Sequence, residues 1–489
     1  MISATVPQSS VPPLAQQRHP AALWTLFRSE MWERFSYYGM RALLVLYLVK
    51  AVGYAREDAL RVYAVYTGLV YLTPIVGGWI ADRWLGFRKA ILIGAVVMMF
   101  GHAAMAFPAL LKPALGLLIV GNGFFKPNIS SLVGRQYGEN DPRRDAGFIY
   151  FYMGINLGAL LAPLVAGWLG ETIAWHWGFA SAAVGMAFGL AQFVIGQERF
   201  GATGLPPGRE APSHLLPRDW VHVVVVSLSA IAVVYGVLGL LPIVATAWAA
   251  IPLQVKIALP VAALAWVLFS AWRSGGRRDF DLVLSILVLG LFNVFFWMGF
   301  EQAGGTMNLF ADNLTDRVIF GWPMPASYFQ AVNPLAILAL APVLSAFWTR
   351  MDSSPRALTS PAKMAIGMII LGLGFVVLAI AQQRADRLGM VGPLWLTAVY
   401  VVHTVGELCI SPVGLSMVTK VSPPRMAGLM MGVWLSSSGV ANYLAGTLES
   451  LLKGSGIPLY QFLVGSSIGP GVVLLVLVPL LKRWMHGRG

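Results

Sequence analysis

The sequence predicts an all-α membrane protein that crosses the bilayer many times, and three observations carry that expectation. Of 489 residues, 57% are hydrophobic and only 11% are charged, where soluble domains carry about a quarter charged; the mean hydropathy is +0.71. Fourteen apolar segments of roughly 20 residues, the length a helix needs to span the hydrocarbon, follow one another along the chain. The third observation is a stripe of charge inside the first segment. Glu30, Glu33, Arg34, Tyr37, Tyr38 and Arg41 recur at helical spacing and share one face, while Met31, Trp32, Phe35, Leu43 and Leu44 cover the rest. A membrane helix with one ionisable stripe is built to line a wet, functional cavity.

The segments follow in order. The first, 23–52, comes after about 20 polar residues with no cleavage-site pattern, so it is expected to be retained. Segments 58–82 and 89–111 are parted by Asp82, Arg83, Arg88 and Lys89, and segments 114–136 and 146–170 by Arg135, Arg143 and Arg144. Segment 175–197 ends at the longest polar connection, Gln197 to Arg218, whose Gly, Pro and Glu residues suit a linker between two halves. Segments 219–243 and 251–272 lead to Arg273, Arg277 and Arg278; 280–311 and 324–350 lead to Arg350, Arg356 and Lys363. Segments 362–383 and 391–419 are followed by Lys420 and Arg425, and 425–450 and 459–482 by Lys482, Arg483 and Arg488. Lys and Arg accumulate in cytoplasmic loops. Every second connection carries them here, which places both termini in the cytoplasm.

The formal charge of +13 comes from 34 basic and 21 acidic residues. Because the basic residues sit in short loops and form no patch, they read as topogenic, and nucleic acid is not expected as a partner. The single Cys409 rules out an intrachain disulfide framework. Seven charges fall deep in the segments: Glu30, Glu33, Arg34, Arg41, Lys126, Glu301 and Glu407. Each costs about 2.5–3.5 kcal/mol at a helix centre before pairing. One isolated pair could be structural; four acids and three bases spread over four segments, beside Tyr and Trp, point to a substrate or proton pathway.

Six stretches, Glu30 to Tyr38, Gly77 to Lys89, Gly123 to Asn128, Phe151 to Gly158, Phe296 to Gln302 and Glu407 to Gly414, resemble motifs of the proton-dependent oligopeptide transporters, a branch of the major facilitator superfamily. Glu30 to Tyr38 reads as ExxERFxYY, and Gly77 to Lys89 resembles the superfamily's loop between the second and third helices. Gly123 to Asn128 reads as GxxKPN, and Phe151 to Gly158 as FYxxINxG. Phe296 to Gln302 and Glu407 to Gly414 are similar to the seventh- and tenth-helix patterns. Any one is weak, but they occur in order, each in the expected segment.

The resemblance implies a major facilitator fold of twelve core helices in two six-helix bundles, with the two additional helices of bacterial members between them. The chain then divides into a cytoplasmic N-terminal segment (1–22), the first bundle (23–197), a linker (198–218), the additional helices (219–272), the second bundle (273–482) and a cytoplasmic tail (483–489). It implies a symporter that imports di- and tripeptides by alternating access in a bacterial inner membrane, with protons as co-substrate and no other cofactor, acting as a monomer. Arg41 and Lys126, with Arg34 nearby, are the implied carboxylate pole; Glu407, with Asn156 and Asn333, is the ammonium pole. Tyr37, Tyr38, Tyr71, Trp297, Phe300, Trp434 and Ser438 are expected around the side-chain pockets. Glu301 paired with Arg41 is the first candidate for proton coupling, since making and breaking such a pair loads and releases a proton. Glu30 and Glu33 beside Arg34 and Lys126 are the second. A Lys126–Glu407 pair is expected as a gate, and Asp82, Arg83, Arg88 and Lys89 as a second gating layer.

Animal relatives bind a proton on a His of the second helix, but Tyr63 to Tyr71 contains none, so coupling is expected to rest on carboxylates. His403, one turn before Glu407, is read as an interhelical hydrogen-bonding residue or a partner of that acid. No metal-ligand set and no nucleophile with a base stands out, and an enzyme is not expected. The alternative within the family is a proton-coupled carrier of nitrate, an amino acid or a drug.

Overall fold

The computed structural model describes residues 18–138, 141, 143–209, 214–354 and 357–488. Its helices are α1 (Ala21–Lys50), α2 (Arg56–Ile80), α3 (Phe87–Met105), α4 (Leu111–Gly134), α5 (Arg144–Trp168), α6 (Trp175–Ile195), α7 (Pro217–Ala250) and α8 (Leu253–Phe300). There follow α9 (Thr306–Leu314), α10 (Val332–Asp352), α11 (Ser360–Leu388), α12 (Pro393–Val421), α13 (Ala427–Leu452) and α14 (Leu459–Trp484). Among the described residues, eleven helical stretches are long and apolar enough to cross a membrane. The remaining crossings are explained by composition and a break. α1 carries Arg28, Glu30, Glu33, Arg34, Arg41 and Lys50, and α13 carries Ser436, Ser437, Ser438 and Asn442. α8 is two spans in one, parted at Gly275 and at Gly276, whose φ of 62° suits only a residue without a side chain.

The predicted segments match these helices apart from two places. The span expected over 280–311 stops at Phe300; a tight 3-10 turn, Glu301–Gly304, precedes α9. Gly304 is needed there, because a Cβ on it would stand 1.9 Å from the Tyr63 hydroxyl. The span expected over 324–350 becomes regular at Val332, after a 3-10 turn, Ala326–Ala331. A small hairpin, Val318–Ile319 against Trp322–Pro323, precedes it, turning on Phe320 and Gly321, both at positive φ.

The helices pack in two groups. α1 lies against α5 and α6, α3 against α4 and α6, and α2 against α4; in the second group α11 lies against α12 and α14, α8 against α13 and α14, and α10 against α12. α7 packs on α3 and α4. Glycines set the closest approaches, as small residues do in membrane helix pairs: a Cβ on Gly77 of α2 would stand 2.0 Å from the Gly123 carbonyl of α4. The groups meet where α2 crosses α13 and α5 crosses α10.

Polar ties between the groups gather at one end. Lys50 pairs with Asp312 at 2.6 Å, Arg56 with Glu449 at 2.7 Å and Lys453 with Glu57 at 2.6 Å. The hydrogen bond from Lys453 to Glu57 holds that ammonium above its ordinary pKa. At the same end the Glu171 carboxylate accepts from the backbone N–H groups of Ala326 (2.7 Å) and Ser327 (2.9 Å). Apart from the deep Arg41–Glu301 pair, every ion pair joining the two groups among the described residues lies at this end.

At the opposite end the linker is tied to the first group. The backbone N–H of Arg88 donates to Gly204 O (3.0 Å), its Nε donates to Thr203 O (2.7 Å), and its guanidinium also reaches Gly201 O. Asp219, at the start of α7, accepts from Arg209 (2.8 Å) and faces Lys89 at 3.4 Å.

Candidate functional site

A cavity of about 140 Å³ lies between the two groups, walled by α1, α2, α5, α8, α10 and α12. Each helix contributes a polar or aromatic residue from its inner face. α1 supplies Tyr38 and Arg41, α2 Tyr71, α5 Tyr152 and Asn156, α8 Trp297 and Phe300 with Glu301 just beyond, the 3-10 turn before α10 Gln330, the start of α10 Asn333, and α12 Tyr400, His403 and Glu407.

Two charged centres open on this space. Arg41 Nη2 donates to the Glu301 carboxylate, joining α1 to the end of α8, and Arg41 Nε donates to Tyr63 Oη at 2.7 Å. Both charged groups are nearly excluded from solvent, the side chains being 10% and 2% exposed, so each depends on the other. The second centre is Glu407, 8% exposed, which accepts from Asn333 Nδ2 at 2.8 Å; the same amide also donates to Thr404 Oγ1 at 2.9 Å. Trp297 and Phe300 meet edge to face at 5.2 Å beside them.

The sequence-predicted residues divide into three places. Tyr38, Arg41, Tyr71, Asn156, Trp297, Phe300, Glu301, Asn333 and Glu407 line the cavity together. A layer behind it holds Glu30, Glu33, Arg34, Tyr37 and Lys126. Arg34 Nε lies 3.1 Å from Glu30 and closer still to Glu33, which Asn122 of α4 approaches at 3.4 Å. Tyr37 is buried with Arg34 over its ring at 5.3 Å and stacks on Tyr66. Lys126 Nζ stands 4.6 Å above the Tyr71 ring, so a cavity residue is its contact, and it is not paired with Glu407 in this structure.

The remaining predicted residues lie off the cavity. Trp434 is buried against Gly414, where a Cβ would stand 2.4 Å from its ring, and Ser438 Oγ accepts from Asn293 at 3.4 Å. Asp82 and Arg83 are exposed at the far end of α2, Arg83 over the Trp79 ring at 5.2 Å, while Arg88 is fully buried against the linker.

Four residues of the site were not singled out from sequence: Tyr63, Tyr152, Gln330 and Tyr400. Tyr63 and Tyr152 stand inside quoted motifs, so their signal was present but not distinguishable from packing aromatics. Tyr400 donates to Ala303 O at 3.2 Å, gripping the break after Glu301. His403 tilts on Phe375 at 4.6 Å and also lines the cavity. Chemically, the site offers a buried cation with a removable counterion, and a carboxylate held by an amide. It has no group of three or more metal-capable residues among those described.

The chain is similar to known transporters over nearly its whole length. The chain is 36% identical to "Peptide transporter YePEPT" of Yersinia enterocolitica over 96% of each chain, and 31% identical to a "Di-/tripeptide transporter" of Lactococcus lactis over 95% of this chain and 96% of that one. Among solved structures, that of a peptide transporter in complex with sulfate superposes with a TM-score of 0.81 at 35% identity, covering 96% of both chains. The fold is accordingly that of the major facilitator transporters. Residues 88–461 match the profile described as the POT family, and the chain belongs to that family of transporters.

Proposed function

We propose that this protein is a proton-coupled symporter that imports di- and tripeptides by alternating access across a bacterial inner membrane, with both termini in the cytoplasm. The observation that carries the reading is that one cavity between the two helix groups holds both the Arg41–Glu301 pair and the Asn333-held Glu407. The constant features of a short peptide are a terminal carboxylate and a terminal ammonium. A buried guanidinium can take the first and a buried carboxylate the second without reading the side chains, which are left to Tyr38, Tyr71, Trp297 and Phe300. Relatives described as peptide and di-/tripeptide transporters support that substrate class.

Coupling follows from charge balance. While Glu301 is ionised it neutralises Arg41 and joins the halves. A proton on Glu301 frees Arg41 for the peptide carboxylate, and loss of that proton restores the pair and expels the anion. Glu30 and Glu33 around Arg34 form a second acidic cluster from which a proton can pass, with Lys126 positioned by Tyr71 between that cluster and the cavity. The ties at Lys50, Arg56, Lys453 and Glu171 close the side opposite the termini, and Lys126–Glu407 pairing belongs to the other state of the cycle. In this reading 23–197 and 273–482 are the moving halves, and 219–272 is a structural insertion.

The experiment is uptake of labelled dialanine into liposomes containing the pure protein, with and without an inward proton gradient. Gradient-driven accumulation, competed by unlabelled di- and tripeptides, supports the proposal. Movement of nitrate, an amino acid or a drug without peptide competition would overturn the two-pole recognition.

A further inference from the structure

Arg41 has two partners of different kinds. Glu301 belongs to the second helix group, whereas Tyr63, on α2, belongs to the same group as Arg41. Tyr63 is 1% exposed, its ring lies under the guanidinium at 5.8 Å, and its hydroxyl sits against Gly304, leaving no room there for a Cβ. A buried guanidinium that loses its carboxylate must find other acceptors or swing away, since an unpartnered charge in a dry site is costly. When the two groups separate, Glu301 departs and Tyr63 does not.

From this geometry, and resting on the proposed peptide reading, we infer that Tyr63 is a positioning residue that keeps Arg41 aimed into the cavity after Glu301 releases it. Its hydroxyl occupies Nε, and Nη2 is the atom that Glu301 vacates. Nη1 has no hydrogen-bond partner among the described residues. The two Nη atoms are therefore presented side by side to an incoming carboxylate, which fits both oxygens end-on to the fork. Without the hydroxyl the guanidinium can rotate and present its Nε edge, and the carboxylate is no longer met in one fixed orientation.

The test compares wild type with Tyr63→Phe, which keeps the ring and removes the hydroxyl. Uptake is measured with dialanine and with dialanine amide, which lacks the carboxylate. The expected result is a KM for dialanine raised roughly tenfold, the worth of one hydrogen bond to a charged group, with the KM for the amide unchanged. Equal changes for both, or none, would overturn the positioning role. A second measurement does not depend on the substrate: the Nε–H resonance of Arg41, assigned through Arg41→Lys in nitrogen-15 labelled protein, should exchange slowly with water in wild type and rapidly in Tyr63→Phe. If exchange is unaltered, Tyr63 does not hold Arg41. If wild type accumulates no dialanine, the peptide reading fails, and the exchange measurement alone decides whether Tyr63 anchors the guanidinium.

Discussion

Replacing Glu301 with Gln removes the charge from a pair whose two side chains are 10% and 2% exposed, while the amide oxygen still accepts from Arg41. Deleting one partner of a buried pair costs about 3–5 kcal/mol, and a hydrogen bond to a charged group that survives returns about 1.5–3 kcal/mol of it. The remaining loss, about 2 kcal/mol, falls on the conformation in which α1 meets the end of α8, and shifts the balance between the two conformations by about thirtyfold. Gln also cannot carry a proton, so an inward gradient of about two pH units, worth about 2.7 kcal/mol per proton, has nothing to act on at this position. In proteoliposomes, Glu301→Gln should let labelled dialanine equilibrate but not accumulate. Counterflow against a preloaded unlabelled pool should continue at a reduced rate. Accumulation above the external concentration would refute the assignment of Glu301 to coupling, and equal loss of accumulation and counterflow would show that the residue is needed for transport as such.

Three further outcomes follow from the geometry. Glu407→Gln should erase the preference for dialanine over its N-acetylated form, a loss of roughly 10–100-fold in relative KM; an unchanged preference would remove Glu407 from the ammonium pole. Arg88→Ala would leave the Thr203 and Gly201 carbonyls without their donor, costing about 2–4 kcal/mol, seen as a lower melting temperature and faster proteolysis of the linker. Arg88→Lys should rescue only part of this, because an ammonium lacks the planar fork. Gly77→Ala forces a Cβ to 2.0 Å from the Gly123 carbonyl and should destabilise the α2–α4 contact by about 1–3 kcal/mol or more, while Gly78→Ala, whose Cβ would meet Pro127 at an ordinary 3.6 Å, should leave the melting temperature unchanged.

The membrane class, the crossings and most of the charged groups around the cavity are legible in the amino-acid sequence alone. Hydrophobic length is a local property, and a buried charge is too costly to persist at random, so Arg41, Glu301 and Glu407 were legible as candidate site residues without coordinates. The motif order made the family legible for the same reason. The resemblance paired Glu301 with Arg41 and set Glu30 and Glu33 beside Arg34, and the structure brings these groups together; the other partners were not legible. Glu30, Glu33 and Arg34 share a helix face with Arg41, yet they form their own cluster behind the cavity, because α4 approaches that part of α1 through Asn122. Lys126 carries the same charge as Arg41 but rests on the Tyr71 ring. Arg88, which by motif reads as a gate residue, closes its hydrogen bonds on the linker. Tyr63 and Tyr400 looked like two of many membrane tyrosines until the break at Glu301–Gly304 placed a hydroxyl on either side of it. In each case the deciding quantity is a distance between residues far apart in the chain. Only the packing of the two helix groups, fixed where glycines let backbones approach, sets those distances.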